Sequence, residues 1–226
     1  MDVADLLSVG EAAQRLGRGA RAVRLMAESG ELAGVKRGNV WWLDARSVER
    51  RRRGPAESGR PLSPEMAWSV LLLASGADGQ ARRVADEPHQ PSRARRWLRD
   101  HALVDHAPRL RARARRESFD VHPSEVARLL DRDDVMRSGL SATEAIGLHG
   151  GADVAEFYAP ESARGAIVDG HALDAGDGPI LARWVPDAVW PSVAAERAPR
   201  AAVLIDLLES DDPRARREAA RELGSP

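Results

Sequence analysis

The chain has 226 residues, 43% of them hydrophobic and 31% charged, with a formal net charge of −1. That length suits one large domain or two to three small ones, and that apolar content excludes a disordered chain. The absence of cysteine excludes disulfides, a thiol nucleophile and a thiolate metal site.

The opening residues, MDVADLLSVGEAAQRLG, lack the basic and long apolar segments of a secretory signal. The longest apolar run, Val70 to Ala74, is far too short to span a bilayer. A cytoplasmic protein without membrane association is expected. Lys36 is the only lysine among 34 Lys and Arg, which reads as codon bias, so arginine abundance by itself does not argue for nucleic-acid binding. The distribution of charge says more. Residues 1–118 carry 23 Lys and Arg against 15 Asp and Glu, a net of +8, while residues 119–226 carry 11 against 20, a net of −9. Such a split fits a basic half that approaches phosphates and an acidic half that approaches a basic partner. It also fits two halves that neutralise one another across an internal interface.

Ser8 and Glu11 form an S-x-x-E capping box, Ala12, Ala13 and Leu16 share one face, and Gly17 ends this first helix. A second short helix, ARAVRLMAESG, places Val23 and Met26 one turn apart and stops at Gly30. LAGVKRGNVWWLD then alternates around Gly38-Asn39, a hairpin turn signal. With period two, Trp41 and Leu43 face inward and Trp42 outward. ARSVERRRR reads as a short helix with a basic exit, and GPAESGRP as a linker. Ser63-Pro64-Glu65 starts a helix leading into MAWSVLLLASG, and SRARRWLRDHAL gives a basic one. In RLRARARRESFDVH, alternation suggests a strand, but Arg and Ala content favours helix to about Glu117.

The acidic half alternates. HPSEVARLLD and SATEAIGL read as capped helices, the second with a Ser141–Glu144 box. DVAEFYA and PILARWV are strand-like. PESARGAIVDGHAL, APRAAVLIDLLES and DDPRARREAAREL are helical. The expected fold class is α+β and mainly helical: an N-terminal DNA-binding domain over 1–54, a basic helical middle segment over 62–118, and a small acidic α/β domain over 119–226 that folds by itself.

The order helix, tight turn, helix, hairpin, short helix is that of a winged helix-turn-helix. The pattern E-A-A-x-x-L-G, a second helix with an inward Val, then G-x-L and a basic hairpin holding a Trp resembles the MerR/excisionase-type DNA-binding domain. This chain departs from the family in carrying Arg18 and Gly19 where a small apolar residue and a Ser or Thr usually precede the second helix. The resemblance implies that the second helix enters the major groove. It then offers Arg18, Ala20, Arg21 and Arg24 to base edges, where Arg bonds guanine bidentately. Lys36, Arg37 and Asn39 of the wing, with Arg50 and Arg51 beyond it, fall to phosphates. Taken singly, each of these arginines also fits a solvated face.

Little points to catalysis. No P-loop and no G-x-G-x-x-G occur, and GLHGG lacks the Lys and spacing of either. His101 and His106 are five residues apart, the wrong interval for two ligands on one helical face. Asp131 to Asp134, DRDD, lacks the Gly and closing Glu of a calcium loop. A non-enzyme with no cofactor and no metal is expected.

Three stretches of the acidic half, VHPSEVARLLDRDDVMRSGLSATEAIGL, DVAEFYAPESARGAIVDGHAL and APRAAVLIDLLESDDPRARREAARELG, resemble the C-terminal region of AbiE-type antitoxins. The usual N-terminal domain of that group is a different winged helix. The resemblance implies an antitoxin that autorepresses its operon and counteracts a co-encoded nucleotidyltransferase-type toxin. Its partners are then double-stranded operator DNA and the cognate toxin, and a homodimer is admitted. The apolar helix Ala201–Ser210, with Leu204 and Leu207, and Trp190 within Trp184–Pro191 are the candidate toxin contacts; Trp190 also fits plain core packing. A transcriptional regulator whose C-terminal domain senses a small-molecule effector is the alternative.

Overall fold

The computed structural model describes residues 6–28, 32–38, 40–53, 60–146, 154–197 and 199–224; within these, the side chains of residues 28, 37, 50, 53 and 143–146 are not described. The chain is α+β and mainly helical, and it divides into two compact units, Met1–Ala56 and Glu57–Pro226.

In the first unit, β1 (Leu6–Ser8) leads directly into α1 (Val9–Leu16), followed by α2 (Ala20–Glu28), β2 (Gly34–Arg37), β3 (Val40–Asp44) and α3 (Ala45–Arg53). The expected capping box forms. Ser8 Oγ accepts the Glu11 N–H, and Glu11 Oε2 accepts the Ser8 N–H at 2.8 Å. The Ser8 N–H and the Ser8 hydroxyl, both donating to Glu11 Oε2, hold the Glu11 carboxyl below its ordinary range. Gly17 ends α1 at φ 62, a left-handed conformation that suits glycine. The chain turns there into α2, whose Val23 N–H bonds the Gly19 carbonyl at 3.2 Å.

β2 and β3 form the expected hairpin, with Arg37 opposite Val40 and Gly38 at φ 61; Asn39 lies outside the described residues. The sequence signals miss β1, which pairs with β3 through Leu7 and Leu43, so β3 is the centre of a three-stranded sheet ordered β1-β3-β2. A three-residue strand carries almost no local signal and exists through its partner. Gly34 sits where a Cβ would lie 2.5 Å from the Trp42 carbonyl oxygen and 2.9 Å from Leu43 Cδ2, so this close approach admits no side chain. Leu7, Ala12, Val23, Met26, Leu32, Leu43 and Val48 form the core of the unit, with Trp41 half-buried against it.

The second unit opens with α4 (Pro64–Ala74), α5 (Asp78–Arg83), α6 (Gln90–Asp100), α7 (Leu103–His106) and a 3-10 turn over Ala107–Arg113. Strand β4 (Arg115–Asp120) comes next, then α8 (Pro123–Leu130), β5 (Met136–Arg137) and a 3-10 segment over Gly139–Ile146. The chain continues through β6 (Ala155–Pro160), α9 (Arg164–Gly170), β7 (Asp174–Ala175), β8 (Ile180–Val185), α10 (Trp190–Ala194), α11 (Arg200–Leu208) and α12 (Pro213–Gly224). The five strands order as β5-β6-β8-β4-β7, with β6 and β8 parallel across the α9 crossover and the other pairs antiparallel.

β6 is buried at every residue because both faces of the sheet are covered. Phe157 and Ala159 point to one core with Phe119, Ile167 and Trp184, and Tyr158 points to the other with Trp68, Leu110 and Val185. This second core joins α4, α5 and α6 to α10 and α11. The expected boundary between residues 118 and 119 is therefore corrected. It would cut β4, whose residues 115–119 pair with β8, and would split a single core. The expectation of helix to Glu117 fails for the same reason: pairing with β8 overrides the helical preference of Arg and Ala. The Ser141 hydroxyl donates to the Val154 carbonyl at 3.1 Å and accepts the Glu156 N–H at 2.8 Å, so it ties its segment to β6; the Glu144 side chain of the expected capping box lies outside the described residues.

Candidate nucleic-acid interface

α2 is two-faced. Val23, Met26 and Ala27 are buried in the core of the first unit. Arg18, Ala20, Arg21 and Arg24 are all exposed, so the structure places the four residues expected to face bases on one outward side. Leu25 lies among them with 57% of its surface exposed. Its side chain carries no hydrogen-bonding group, and its interval of four from Arg21 is the sequence signal that puts it on that face. Lys36 is exposed on β2. Arg37 ends β2 and Arg50 belongs to α3. Arg51 is half-buried, and Arg52 is committed to Glu49 through Nε at 2.8 Å and Nη2 at 2.6 Å. Part of the basic run is thus already neutralised within α3.

The sheet separates the adjacent tryptophans as its period requires. Trp41 is half-buried against the core, whereas Trp42 is 37% exposed on the opposite face, with Val40 two residues away also exposed. Alternation in the sequence predicts this arrangement.

The second unit holds its densest charge inside. Arg113, Tyr158, Arg183 and Asp206 are buried together with Ser138 and Glu156. Arg113 donates from Nη2 to Asp206 Oδ1 at 2.6 Å, from Nη1 to Glu209 at 3.1 Å and from Nε to the Tyr158 hydroxyl at 2.9 Å. Tyr158 in turn donates to Asp206 Oδ1 at 2.8 Å, Ser138 donates to Asp206 Oδ2, and Arg183 bonds Glu156 at 3.0 Å. Burial would raise the Asp206 carboxyl, but the guanidiniums of Arg183 and Arg113 outweigh it and hold it below the usual range. Glu156 goes the other way, raised by burial more than Arg183 lowers it. Burial pushes the Tyr158 hydroxyl well up, so it remains a donor. The network is not fully satisfied: Arg183 Nε lies 3.0 Å from Asp206 Oδ1 as an ion pair without a hydrogen bond, and the buried Arg183 Nη1 has no hydrogen-bond partner among the described residues.

Two expected toxin contacts are corrected. Leu204 is 3% exposed and Leu207 fully buried, both packed with Val203 against Ala215 and Ala219 of α12. The other side of α11, through Ala201, Ala202 and Ile205, belongs to the core under α4. A helix that is apolar all round is a core helix, and these leucines present no surface to a partner. Trp190 is half-buried against the same core.

His101 and His106, distant for ligands on one helix, are brought together by the bend into α7: their ring centroids lie 4.6 Å apart, and Trp97 stacks on His101 at 4.8 Å. Both Nδ1 atoms face main-chain carbonyls at 3.0 Å. In DRDD, Asp134 is bonded by Arg132 and Asp131 by Arg137. Among the described residues, no group of three or more His, Cys, Asp or Glu is placed to hold a metal ion, and no helix is long and apolar enough to cross a membrane. Compared with family models, with curated proteins and with solved structures, the chain shows no match.

Proposed function

We propose that this chain is a sequence-specific DNA-binding repressor, that residues 6–53 act as a winged helix-turn-helix, and that the chain serves as the antitoxin of a toxin–antitoxin operon. One observation carries the DNA reading: after the left-handed Gly17 turn, Arg18 and then Ala20, Arg21 and Arg24 of α2 are exposed, whereas Val23 and Met26 of α2 are buried. Inserted in the major groove, the first turns of such a helix meet base edges, and Arg21 and Arg24 suit guanine O6 and N7. Lys36 on the hairpin suits a phosphate, which fixes position without reading sequence.

The antitoxin part is supported by the AbiE-type resemblance of the acidic stretches. It is also supported by the charge of residues 57–226, where 23 Lys and Arg stand against 28 Asp and Glu. That acidic excess suits a basic partner by speeding encounter and fixing register. With Leu204 and Leu207 inside the core, the toxin surface on this reading is polar and acidic, with Trp190 as its aromatic member.

The test is a gel shift of the full chain on the duplex upstream of its own reading frame and on a scrambled duplex. Preference for the first, lost in Arg21→Ala/Arg24→Ala, supports the reading, whereas no binding at low salt overturns it. Co-expression with the co-encoded neighbouring protein tests the antitoxin role. A neighbour whose toxicity is unchanged by the full chain refutes that part alone.

A further inference from the structure

We infer that Leu25 is a specificity-determining residue that reads the 5-methyl group of a thymine beside the guanines taken by Arg21 and Arg24; the inference rests on the DNA-binding reading of α2. α2 buries its apolar residues efficiently, with Val23, Met26 and Ala27 all in the core. Leu25 is the large apolar side chain of α2 left out of that core, exposed at 57% beside the exposed Arg21 and Arg24. Residues 21, 24 and 25 follow the interval i, i+3, i+4, one face of a helix. Arg21 and Arg24 are exposed on that face.

Leu25 is not among the core residues of the first unit and keeps 57% of its surface exposed, because the core takes α2 through Val23, Met26 and Ala27. A helix seated in the major groove turns this face to base edges. There the four bases differ in polar groups, and thymine adds a methyl, the one apolar feature of that edge. Arginine satisfies guanine and leaves the methyl unread; an aliphatic side chain one turn beyond Arg21 supplies the matching apolar surface. Leu25 therefore biases the site toward thymine at the position next to a contacted guanine, and desolvation of the methyl provides the preference.

The experiment uses the full chain and the duplex it selects from a randomised library. Each thymine is replaced in turn by deoxyuridine, which removes the methyl and leaves the Watson–Crick edge intact. The expected result is one position at which the replacement weakens wild-type binding about fourfold, the factor that burial of one methyl carries. For Leu25→Ala the same replacement should change binding less than about 1.5-fold, because the two changes remove one contact and are not additive. An unaltered slope of affinity against salt and an unaltered melting temperature in Leu25→Ala show that phosphate contacts and folding are intact. Equal losses in wild type and Leu25→Ala at every thymine overturn the assignment while leaving DNA binding in place. Failure of the wild type to select any duplex overturns the DNA-binding reading and the assignment with it.

Discussion

Arg113 Nη2 lies 2.6 Å from Asp206 Oδ1, and the two residues, one before β4 and the other on α11, are both buried. This pair joins the basic and acidic parts of the chain. Arg113 and Arg116 also bond Glu209, so at this point the charge split is spent inside the second unit, as the internal-neutralisation reading of the sequence anticipates. Removing one partner strands a desolvated charge among fixed dipoles, and that loss exceeds what the pair contributes as a whole. Arg113→Ala should therefore lower the unfolding free energy by about 3–5 kcal/mol. The paired change Arg113→Met/Asp206→Leu should cost less than Arg113→Ala alone. Urea unfolding of the three chains checks this order.

The same network sets a pH dependence. Asp206 is held below the usual carboxylate range by Arg183 and Arg113 against the effect of burial, so its stabilisation is present above its unfolded pKa and is lost as pH falls through the folded one. Glu156 has the opposite sign. Burial raises it, so stability from its protonated form is present at low pH and is lost as pH rises through its folded pKa. Asp206→Asn should flatten the loss of stability on acidification from neutral pH, and Glu156→Gln should steepen it. Unfolding free energies at a series of pH values give both slopes, and parallel curves for all three chains would contradict the assignment.

Dividing the chain gives a third test. A fragment of residues 119–226 lacks most of β4 and all of Arg113, and it exposes the core face that α4 and α6 cover. It should remain without cooperative unfolding, by circular dichroism and by dispersion of amide resonances. Residues 57–226 should retain a single cooperative transition, because the shared core is whole. A folded, cooperative 119–226 fragment would mean that the sheet does not depend on the helices before it.

What the sequence reveals and what it conceals differ by range. The Ser8–Glu11 box, the Gly17 stop, the hairpin around Gly38 and the opposed Trp41 and Trp42 are all written within a few residues, and each appears as expected. The start of β4 reads as helix up to Glu117 because the stretch leading into it is rich in Arg and Ala, and it becomes a strand only beside β8, about sixty residues later. Leu204 and Leu207 looked like a contact surface because an apolar stretch does not say what covers it; α12 does. The Arg113–Asp206 pair spans 93 positions and has no local signature at all. For α2, the arginines were legible as a polar face, whereas Leu25 needed the knowledge of which residues the core had taken.

Two glycines of the first unit test its geometry in different ways. Gly17→Ala meets open space but must hold a left-handed φ of 62, so it should cost about 1 kcal/mol. Gly34→Ala places a methyl against the Trp42 carbonyl and Leu43, where the backbone of β3 has to move. Its cost should be larger, about 1–3 kcal/mol, and should fall on the hairpin. Hydrogen exchange of the β2 and β3 amides separates the two, with faster exchange in Gly34→Ala and near-normal exchange in Gly17→Ala.

The adjacent tryptophans give the final contrast. Trp41 is half-buried against the core of the first unit, and Trp42 stands on the other face of β3. Trp41→Ala leaves a cavity at the edge of the core and should destabilise the first unit by about 2 kcal/mol, below the range of fully buried tryptophans. Trp42→Ala removes an exposed side chain and should change stability by less than about 0.5 kcal/mol. Hydrogen exchange of the α1 and β3 amides in the full chain reads both. If the two substitutions cost the same, or if Trp42→Ala costs more, the sheet is not in the register that pairs Leu7 with Leu43 and Val35 with Trp42. A shift of one residue would exchange the two faces of β3 and bring Trp42 and Val40 inward, which is why this pair reports on register and not only on packing.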